Sequence, residues 1–151
     1  MIKRILDPKD FKNLMDDMDD LFAFENQKQG HFLTHDTEYI VNAFGDKSIL
    51  AWDFFVWANY NDEGEFDAMI AFLNNKNEKF GKEIFSEYLW LSKNPRVGQK
   101  LLGIAMKFAR EKEFKYVMMS CVEAHPKSRK VAKFYEKMGF VKDSETYIAK
   151  L

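Results

Sequence analysis

Three consecutive segments of this chain have the pattern of β-strands, and this run constrains the fold more than any other feature. Residues 49–58 are largely apolar and aromatic and end at a turn-forming segment, residues 59–64, that contains Asn, Asp and Gly. Residues 65–73 then return as a second strand, and residues 83–91 form a third after a polar stretch. Because consecutive strands joined by short turns pair side by side, the run predicts an antiparallel meander.

Helical and strand patterns on both sides of the meander complete the predicted order of elements. They are a strand at 2–6, a helix from Pro8, a helix from Asp36 to Gly45, a helix from Pro95, a strand at 116–122, a basic helix at 127–138 and a strand at 140–151. A polar loop is expected at 27–34. This order predicts an α/β fold in which helices flank a mixed sheet.

The length and composition predict one domain covering residues 1–151. The chain has 151 residues, of which 46% are apolar, which suffices for one substantial core. No apolar run approaches the roughly 20 residues that cross a bilayer, and the first residues do not form a secretory signal. We therefore expect a cytoplasmic protein without membrane partners. Cys121 is the only cysteine, and no Cys/His spacing predicts a metal site.

Charge is distributed unequally along the chain. Residues 1–92 hold 9 Lys and Arg against 18 Asp and Glu, a net charge of −9, whereas residues 93–151 hold 14 against 6, a net charge of +8. A basic half suits a polyanion such as a nucleotide, and an acidic half suits a cationic molecule. The alternative is that both are solvated surfaces whose opposite charges attract each other during folding.

The junction between the third strand of the meander and the following helix predicts an anion site. Pro95 occupies a first helical position, so the backbone N–H groups and the positive end of the helix dipole point towards the preceding loop. Lys93, Arg96 and Lys100 add positive charge for a phosphate. The alternative is an ordinary helix start that Asn94 caps.

Residues 131–140, with the sequence VAKFYEKMGF, form the second informative segment. Together with residues 84–100 and the order of the elements, they resemble the GCN5-related N-acetyltransferases. The resemblance extends over nearly the whole chain and is specific from about Glu83 onward. It implies a sheet whose last parallel strands splay apart, acetyl coenzyme A as co-substrate, and the transfer of an acetyl group to an amine.

The resemblance also implies which residues bind the cofactor. They are Leu89, Trp90, Leu91, Lys93, Arg96, Val97, Gly98, Gln99, Lys100, Ser128, Phe134 and Lys137. The family's phosphate loop usually reads Gln or Arg, two residues, Gly, one residue, then Gly or Ala. Arg96 replaces the first of these glycines, whose missing side chain lets a backbone approach phosphate closely. The resemblance therefore supports the prediction of the fold more strongly than it supports tight binding of the cofactor.

Two side chains are the predicted catalytic residues. Glu87, in the context FSEY, is expected to accept the proton of the attacking ammonium, with Glu83 and Asp53 as substitutes. Tyr135 is expected to donate its phenolic proton to the departing thiolate. The alternatives are a solvent-facing glutamate on a strand and a core tyrosine on an amphipathic helix.

The predicted function is an N-acetyltransferase acting on a primary amine, either a small cationic amine or a protein amino group, in a ternary complex. We expect the acceptor to approach from the acidic half, near the following residues: Trp52, Asp53, Phe54, Trp57, Glu65 and Asp67. The alternative is a binding module that keeps the fold without catalysis and recognises a protein or a nucleic acid, although the acidic first half disfavours nucleic acid. The oligomeric state stays open, with a homodimer among the options.

Overall fold

The computed structural model describes residues 1–29, 35–77, 80–121, 128–144, 147 and 149–151. Ten elements follow one another within these residues: β1 (Ile2–Ile5), α1 (Pro8–Gln29), α2 (Thr37–Phe44), α3 (Lys47–Trp52), β2 (Phe54–Tyr60), β3 (Phe66–Asn77), β4 (Lys82–Ser92), α4 (Pro95–Glu111), β5 (Tyr116–Met118) and α5 (Ser128–Lys137). The predicted loop at 27–34 begins later than expected, since α1 continues to Gln29, and residues 30–34 lie outside the described residues.

The five strands form one mixed sheet in the order β1-β2-β3-β4-β5. The first four pair antiparallel, and β4 pairs parallel with β5. The crossover between β4 and β5 is α4, as a parallel connection requires. The predicted meander and mixed sheet are therefore confirmed.

Side-chain caps explain where the helices begin. The Asp36 carboxylate accepts the Tyr39 N–H at the start of α2, and the Gly45 N–H bonds the Val41 carbonyl at its end, as the sequence predicts. A second cap at Asp46 was not anticipated. Its carboxylate accepts the N–H groups of Ser48 and Ile49 and begins α3. Residues 49–52, predicted as strand, are therefore helical, because a local cap outweighs a short apolar pattern that either structure can produce.

Aromatic side chains pack the side of the sheet that α4 covers, which we call the α4 face. The Phe55 ring of β2 lies 5.0 Å from the Phe108 ring of α4 and 5.6 Å from the Phe85 ring of β4. Phe85 in turn stacks on Phe72 of β3 at 4.1 Å. Burying a side chain of this size contributes roughly 1.5–3 kcal/mol, so this cluster anchors α4 to the sheet.

The opposite side of the sheet, which we call the α2 face, has its own aromatic cluster. The buried Phe54 ring of β2 lies 5.8 Å from Phe11 of α1 and stacks at 4.3 Å on Phe44 of α2. Because successive residues of a strand point to opposite faces, Phe54 and Phe55 serve different helices. The sheet is thus packed on both sides by aromatic residues.

The last part of the chain differs from its prediction. β5 ends at Met118, earlier than the predicted strand at 116–122, whose final residue lies outside the described residues. The predicted strand at 140–151 is wrong for the residues that the structure describes there, none of which is in a strand. Val141 and Tyr147 are almost fully exposed, so these two described residues do not form part of a buried apolar face.

The contacts group the chain into two compact units, one of residues 1–18 and 36–119 and the other of residues 19–35 and 120–151. The first contains all five strands and α4, and the second contains α5. A single domain over 1–151 stays a prediction. Among the described helices, none combines the length and the apolar character needed to span a membrane.

Candidate active site

The first feature of the candidate site is the place where the pairing between β4 and β5 ends, which we call the parting point. β4 has 11 residues and β5 has 3, and their pairing ends at Ser86 and Met118. Residues 87–92 of β4 continue beyond that point, and no other described strand pairs with this edge. An unpaired strand edge can form main-chain hydrogen bonds with an extended ligand. The predicted contacts at Leu89, Trp90 and Leu91 lie on this stretch.

A bulge in β4 lies just beyond the parting point. Ala71 of β3 pairs with Leu89, and its neighbour Phe72 pairs with Glu87, so Tyr88 is the extra residue. Bulges redirect side chains and are common near active sites. No signal in the sequence marked this bulge, because it arises from the register between two strands.

Glu87, the predicted base, pairs with Phe72 and therefore lies on the α4 face of the sheet. Its side chain is half-buried. Of the two substitutes, Glu83 is exposed near the start of β4, and Asp53 is the residue that ends α3. Of these three carboxylates, Glu87 is the closest in sequence to the parting point. Its role as base stays a prediction.

The loop between β4 and α4 contains only Lys93 and Asn94, and its hydrogen bonds are largely internal. The Ser92 hydroxyl accepts the Asn94 N–H at 3.1 Å, and the Asn94 side chain accepts the Arg96 N–H at 3.0 Å. The Gly98 N–H bonds the Asn94 carbonyl at 3.0 Å, and Pro95 has no N–H. Most of the backbone donors that a helix start offers to a phosphate are therefore already bonded.

Three basic side chains around this loop remain suited to an anion. Lys93, Arg96 and Lys100 are all exposed, and none makes a salt bridge with a described residue. Gln99 is exposed beside them, whereas Val97 is half-buried. The residues present therefore fit a pyrophosphate held mainly by side chains, with weaker help from backbone groups.

Gly98 lies where α4 packs closely against β4. It is buried, and a Cβ built there would lie 3.1 Å from the Ser92 Cβ and 3.4 Å from the Trp90 Nε1 atom. The Trp90 indole N–H also donates to the Gly98 carbonyl at 3.2 Å. A glycine at this place allows α4 to lie close against β4. Its predicted contact with phosphate stays a prediction.

Tyr135, the predicted acid, belongs to the second unit. It is 7% exposed, and its hydroxyl donates a hydrogen bond to the Ser120 carbonyl at 3.0 Å. Its ring lies 5.6 Å from that of Phe140, which follows the left-handed Gly139 at φ 88°. In this arrangement the phenol joins α5 to the segment after β5. Donation to a thiolate would require the proton to leave the Ser120 carbonyl.

The other predicted residues of the second unit are all on α5. Phe134 is half-buried, with its ring 6.3 Å from that of Tyr135, and Lys137 is exposed in the last turn. Ser128 is the first residue of the helix, and its side chain lies outside the described residues. The contacts of these three residues with a cofactor stay predictions.

The residues predicted to surround the acceptor do not converge. Phe54 and Trp57 are buried on opposite faces of the sheet. Asp53 precedes β2, while Asp67 bonds the Asn59 amide at 2.7 Å near the other end, roughly 20 Å along the strand. Glu65 accepts from the Asn61 amide, and Trp52 lies under the Lys112 ammonium at 5.6 Å. The structure does not support one acceptor site built from this set.

Comparison with solved structures gives the class of fold. No protein-family model and no curated protein sequence matches the chain. The structure is similar to an aminoglycoside acetyltransferase from an uncultured soil metagenomic sample, solved in complex with sisomicin, with a TM-score of 0.69 and 15% identity. It is also similar to a ribosomal-protein-alanine N-acetyltransferase from Brucella melitensis biovar Abortus 2308, with a TM-score of 0.65 and 12% identity.

Both alignments include 100% of this chain, together with 96% of the first protein and 99% of the second. The same holds for another aminoglycoside acetyltransferase from a soil metagenomic sample, at a TM-score of 0.68, 10% identity and 97% of that protein. The predicted fold is therefore confirmed: the chain has the GCN5-related N-acetyltransferase fold along its whole length.

Proposed function

We propose that this protein is an N-acetyltransferase that moves an acetyl group from acetyl coenzyme A to a primary amine. The observation that carries the proposal is the parting of β4 and β5 after Ser86, in a chain whose entire length matches solved acetyltransferases. The unpaired edge of β4 offers main-chain groups to the pantetheine arm. Lys93, Arg96 and Lys100 would bind the phosphates at the start of α4.

The chemistry requires two proton transfers. Glu87 would accept a proton from the ammonium, directly or through water, so that the amine nitrogen can attack the thioester carbonyl. A backbone N–H of β4 would stabilise the negative charge that develops on the carbonyl oxygen. Tyr135 would give its phenolic proton to the sulfur as the carbon–sulfur bond breaks. Acetylated amine and free coenzyme A result, with no covalent enzyme intermediate.

Binding of acetyl coenzyme A is the first test. Calorimetry should detect binding, and the double variant Arg96→Ala/Lys100→Ala should weaken it about 30- to 150-fold, since exposed charge-assisted contacts to phosphate contribute about 1–1.5 kcal/mol each. Lys107→Ala is the matched control, because Lys107 is an exposed α4 lysine that pairs with Glu111. No heat and no thermal shift at millimolar ligand would contradict the proposal.

Two variants then test the catalytic roles against a panel of amines. Tyr135→Phe should lower turnover about 10- to 1000-fold with little change in cofactor affinity, within the usual range for acid–base catalysis. It should also cost about 1 kcal/mol of stability through the lost bond to the Ser120 carbonyl. Glu87→Gln should slow the reaction most at low pH, where the amine is protonated. Unchanged turnover would leave both residues with structural roles.

A second candidate is a non-catalytic binding module with the same fold. It is favoured by the internal hydrogen bonds at the start of α4, where Ser92 and Asn94 occupy donors that a phosphate would need. This candidate predicts no acetyl coenzyme A binding by a folded protein. The calorimetric experiment therefore separates the two.

A further inference from the structure

The bulge in β4 places a tyrosine in a fixed aromatic setting close to the parting point. Tyr88 is the extra residue of β4, two positions after the last residue that pairs with β5. Its ring lies 5.2 Å from Phe44 at 73° and 5.3 Å from Phe54 at 85°. Edge-to-face pairs of this kind contribute about 0.5–1.5 kcal/mol each, so the ring of Tyr88 is held on the α2 face.

The geometry of these three rings leaves one side of Tyr88 away from its aromatic neighbours. Phe44 and Phe54 stack almost in parallel, with centroids 4.3 Å apart and 16° between their planes. A ring lying on top of that stack would be much nearer to one member than to the other. Tyr88 is almost equally distant from both, so it stands beside the stack, and the two phenylalanines can cover at most one of its faces.

The surroundings of Tyr88 suit a cation. Its side chain is half-buried, and no described residue forms a hydrogen bond with its hydroxyl. Tyr39 of α2 is close enough to raise the pKa of the Tyr88 phenol, an effect secondary to burial, and is itself 65% exposed. α2 contains Glu38 and no basic residue, and Asp36 caps it. Among the described residues, no Lys or Arg lies over the Tyr88 ring.

We propose that the ring of Tyr88 forms a cation–π site on the α2 face that holds a second positively charged group of the acceptor, apart from the amine that loses its proton to Glu87 on the α4 face. A ring of this kind attracts a cation within about 6 Å of its centroid. The inference rests on the proposed function and deepens it, because it names the substrate class as an amine that carries a further positive charge and names the residue that positions that charge. A neutral or anionic acceptor would not be favoured there.

The test uses choline and its uncharged isostere 3,3-dimethylbutan-1-ol, which have nearly the same shape and are not amine acceptors. The tyrosine ring resonances are followed by NMR, with those of Tyr88 assigned from Tyr88→Phe. We expect choline to shift them at millimolar concentration and the isostere to bind several-fold more weakly. Equal binding of the two compounds, or no shift with choline, would overturn the proposal.

Variants locate the site. Tyr88→Leu should weaken choline binding about 2- to 30-fold, whereas Tyr88→Phe, which keeps a ring, should retain most of it. Tyr116→Leu removes another half-exposed tyrosine of the sheet and should have no effect. If Tyr88→Leu, checked for folding by circular dichroism, binds choline as well as the wild type does, the proposal fails.

This experiment involves no acetyl coenzyme A, so its result is independent of the test of the proposed function. Binding of acetyl coenzyme A without selective choline binding would leave the acetyltransferase proposal standing and remove this one. Selective choline binding without any acetyl coenzyme A binding would remove the acetyltransferase proposal and, with it, the role of the Tyr88 site in holding an acceptor; the cation site would then belong to a binding module.

Discussion

The two faces of the sheet both carry aromatic clusters, but they differ in their contacts with positively charged side chains. On the α4 face the Arg4 guanidinium of β1 lies 4.6 Å from the Phe108 ring, 5.5 Å from Phe55 and 5.9 Å from Trp57. On the α2 face no described Lys or Arg lies over the rings of Phe44, Phe54 or Tyr88. Among the described residues, only the cluster on the α4 face therefore has a cation of the chain over its rings.

Hydrogen bonds, in addition to the aromatic rings, hold the Arg4 guanidinium in place. Its guanidinium donates to the carbonyls of Ala51 at 3.0 Å and Leu50 at 3.4 Å, in the last turn of α3. Burial lowers the pKa of Arg4 from its ordinary value, and its Nε has no hydrogen-bond partner among the described residues. The arginine is thus a structural tie between β1, α3 and α4. Similar rings therefore hold an internal cation on one face of the sheet and no described cation on the other.

The largest expected effect comes from removing the central ring on each face. Phe54→Ala and Phe55→Ala, at adjacent positions on opposite faces, should each lower the free energy of unfolding by about 3–5 kcal/mol, because both rings are buried. Only Phe54→Ala should also weaken choline binding, since Phe54 supports Tyr88. Urea denaturation and the NMR titration measure the two quantities. Loss of choline binding in Phe55→Ala alone would invert the comparison.

A smaller effect is expected from removing the internal cation. Arg4→Met should lower the free energy of unfolding by about 1–2 kcal/mol, because two hydrogen bonds and three cation–π contacts are lost while a costly burial of charge is relieved. Lys112→Met is the comparison, because the Lys112 ammonium is exposed, lies 5.6 Å from Trp52 and 5.8 Å from Phe108, and should contribute less than about 1 kcal/mol. Urea denaturation of both variants checks this. An Arg4→Met protein more stable than the wild type would show that these rings do not hold the cation favourably.

The smallest effect concerns the ionisation of Tyr88. Burial, and to a lesser extent Tyr39, raises the pKa of the Tyr88 phenol above its ordinary value of 10.0. The unfolded chain therefore loses this proton first as pH rises, and the corresponding stability, complete below about pH 10, is lost above it. Tyr88→Phe should therefore show a shallower loss of stability above about pH 10. The pKa of Tyr60 is also raised, and its contribution is common to both proteins. Parallel curves would contradict the burial of the phenol.

Parts of the molecule that depend on neighbouring residues were predictable. Capping residues mark the start of α4, at Asn94 and Pro95, and both limits of α2, at Asp36 and Gly45. Their hydrogen bonds reach only two to four residues along the chain. The helix around Tyr135 and its end at Gly139 follow from the same local rules. Asp46 is also a capping residue visible in the sequence, but the prediction gave more weight to the apolar pattern after it, and residues 49–52 were wrongly expected to form a strand.

Features that depend on distant residues were not predictable. The buried position of Gly98 against Ser92 and Trp90, which the sequence suggested was a place for phosphate, follows from how α4 lies on β4. The scatter of Asp53, Glu65 and Asp67 over the first unit follows from strand alternation and length. The positions of acidic residues in a sequence do not indicate which face or which end of a sheet their side chains will occupy.

The order of the elements from β1 to α5, apart from α3, and the starts of most helices could be predicted from the sequence, because turns, caps and hydrophobic periodicity act over a few residues. The acetyltransferase fold was predicted from the resemblance of residues 84–100 and 131–140 to that family. The folded structure was needed to show where the pairing of β4 with β5 ends, that Tyr88 is the extra residue of the bulge, and that one aromatic cluster holds Arg4 while the other holds no described cation. These outcomes depend on strand register and on packing between segments far apart in the chain, where a shift of one residue moves every side chain to the other face.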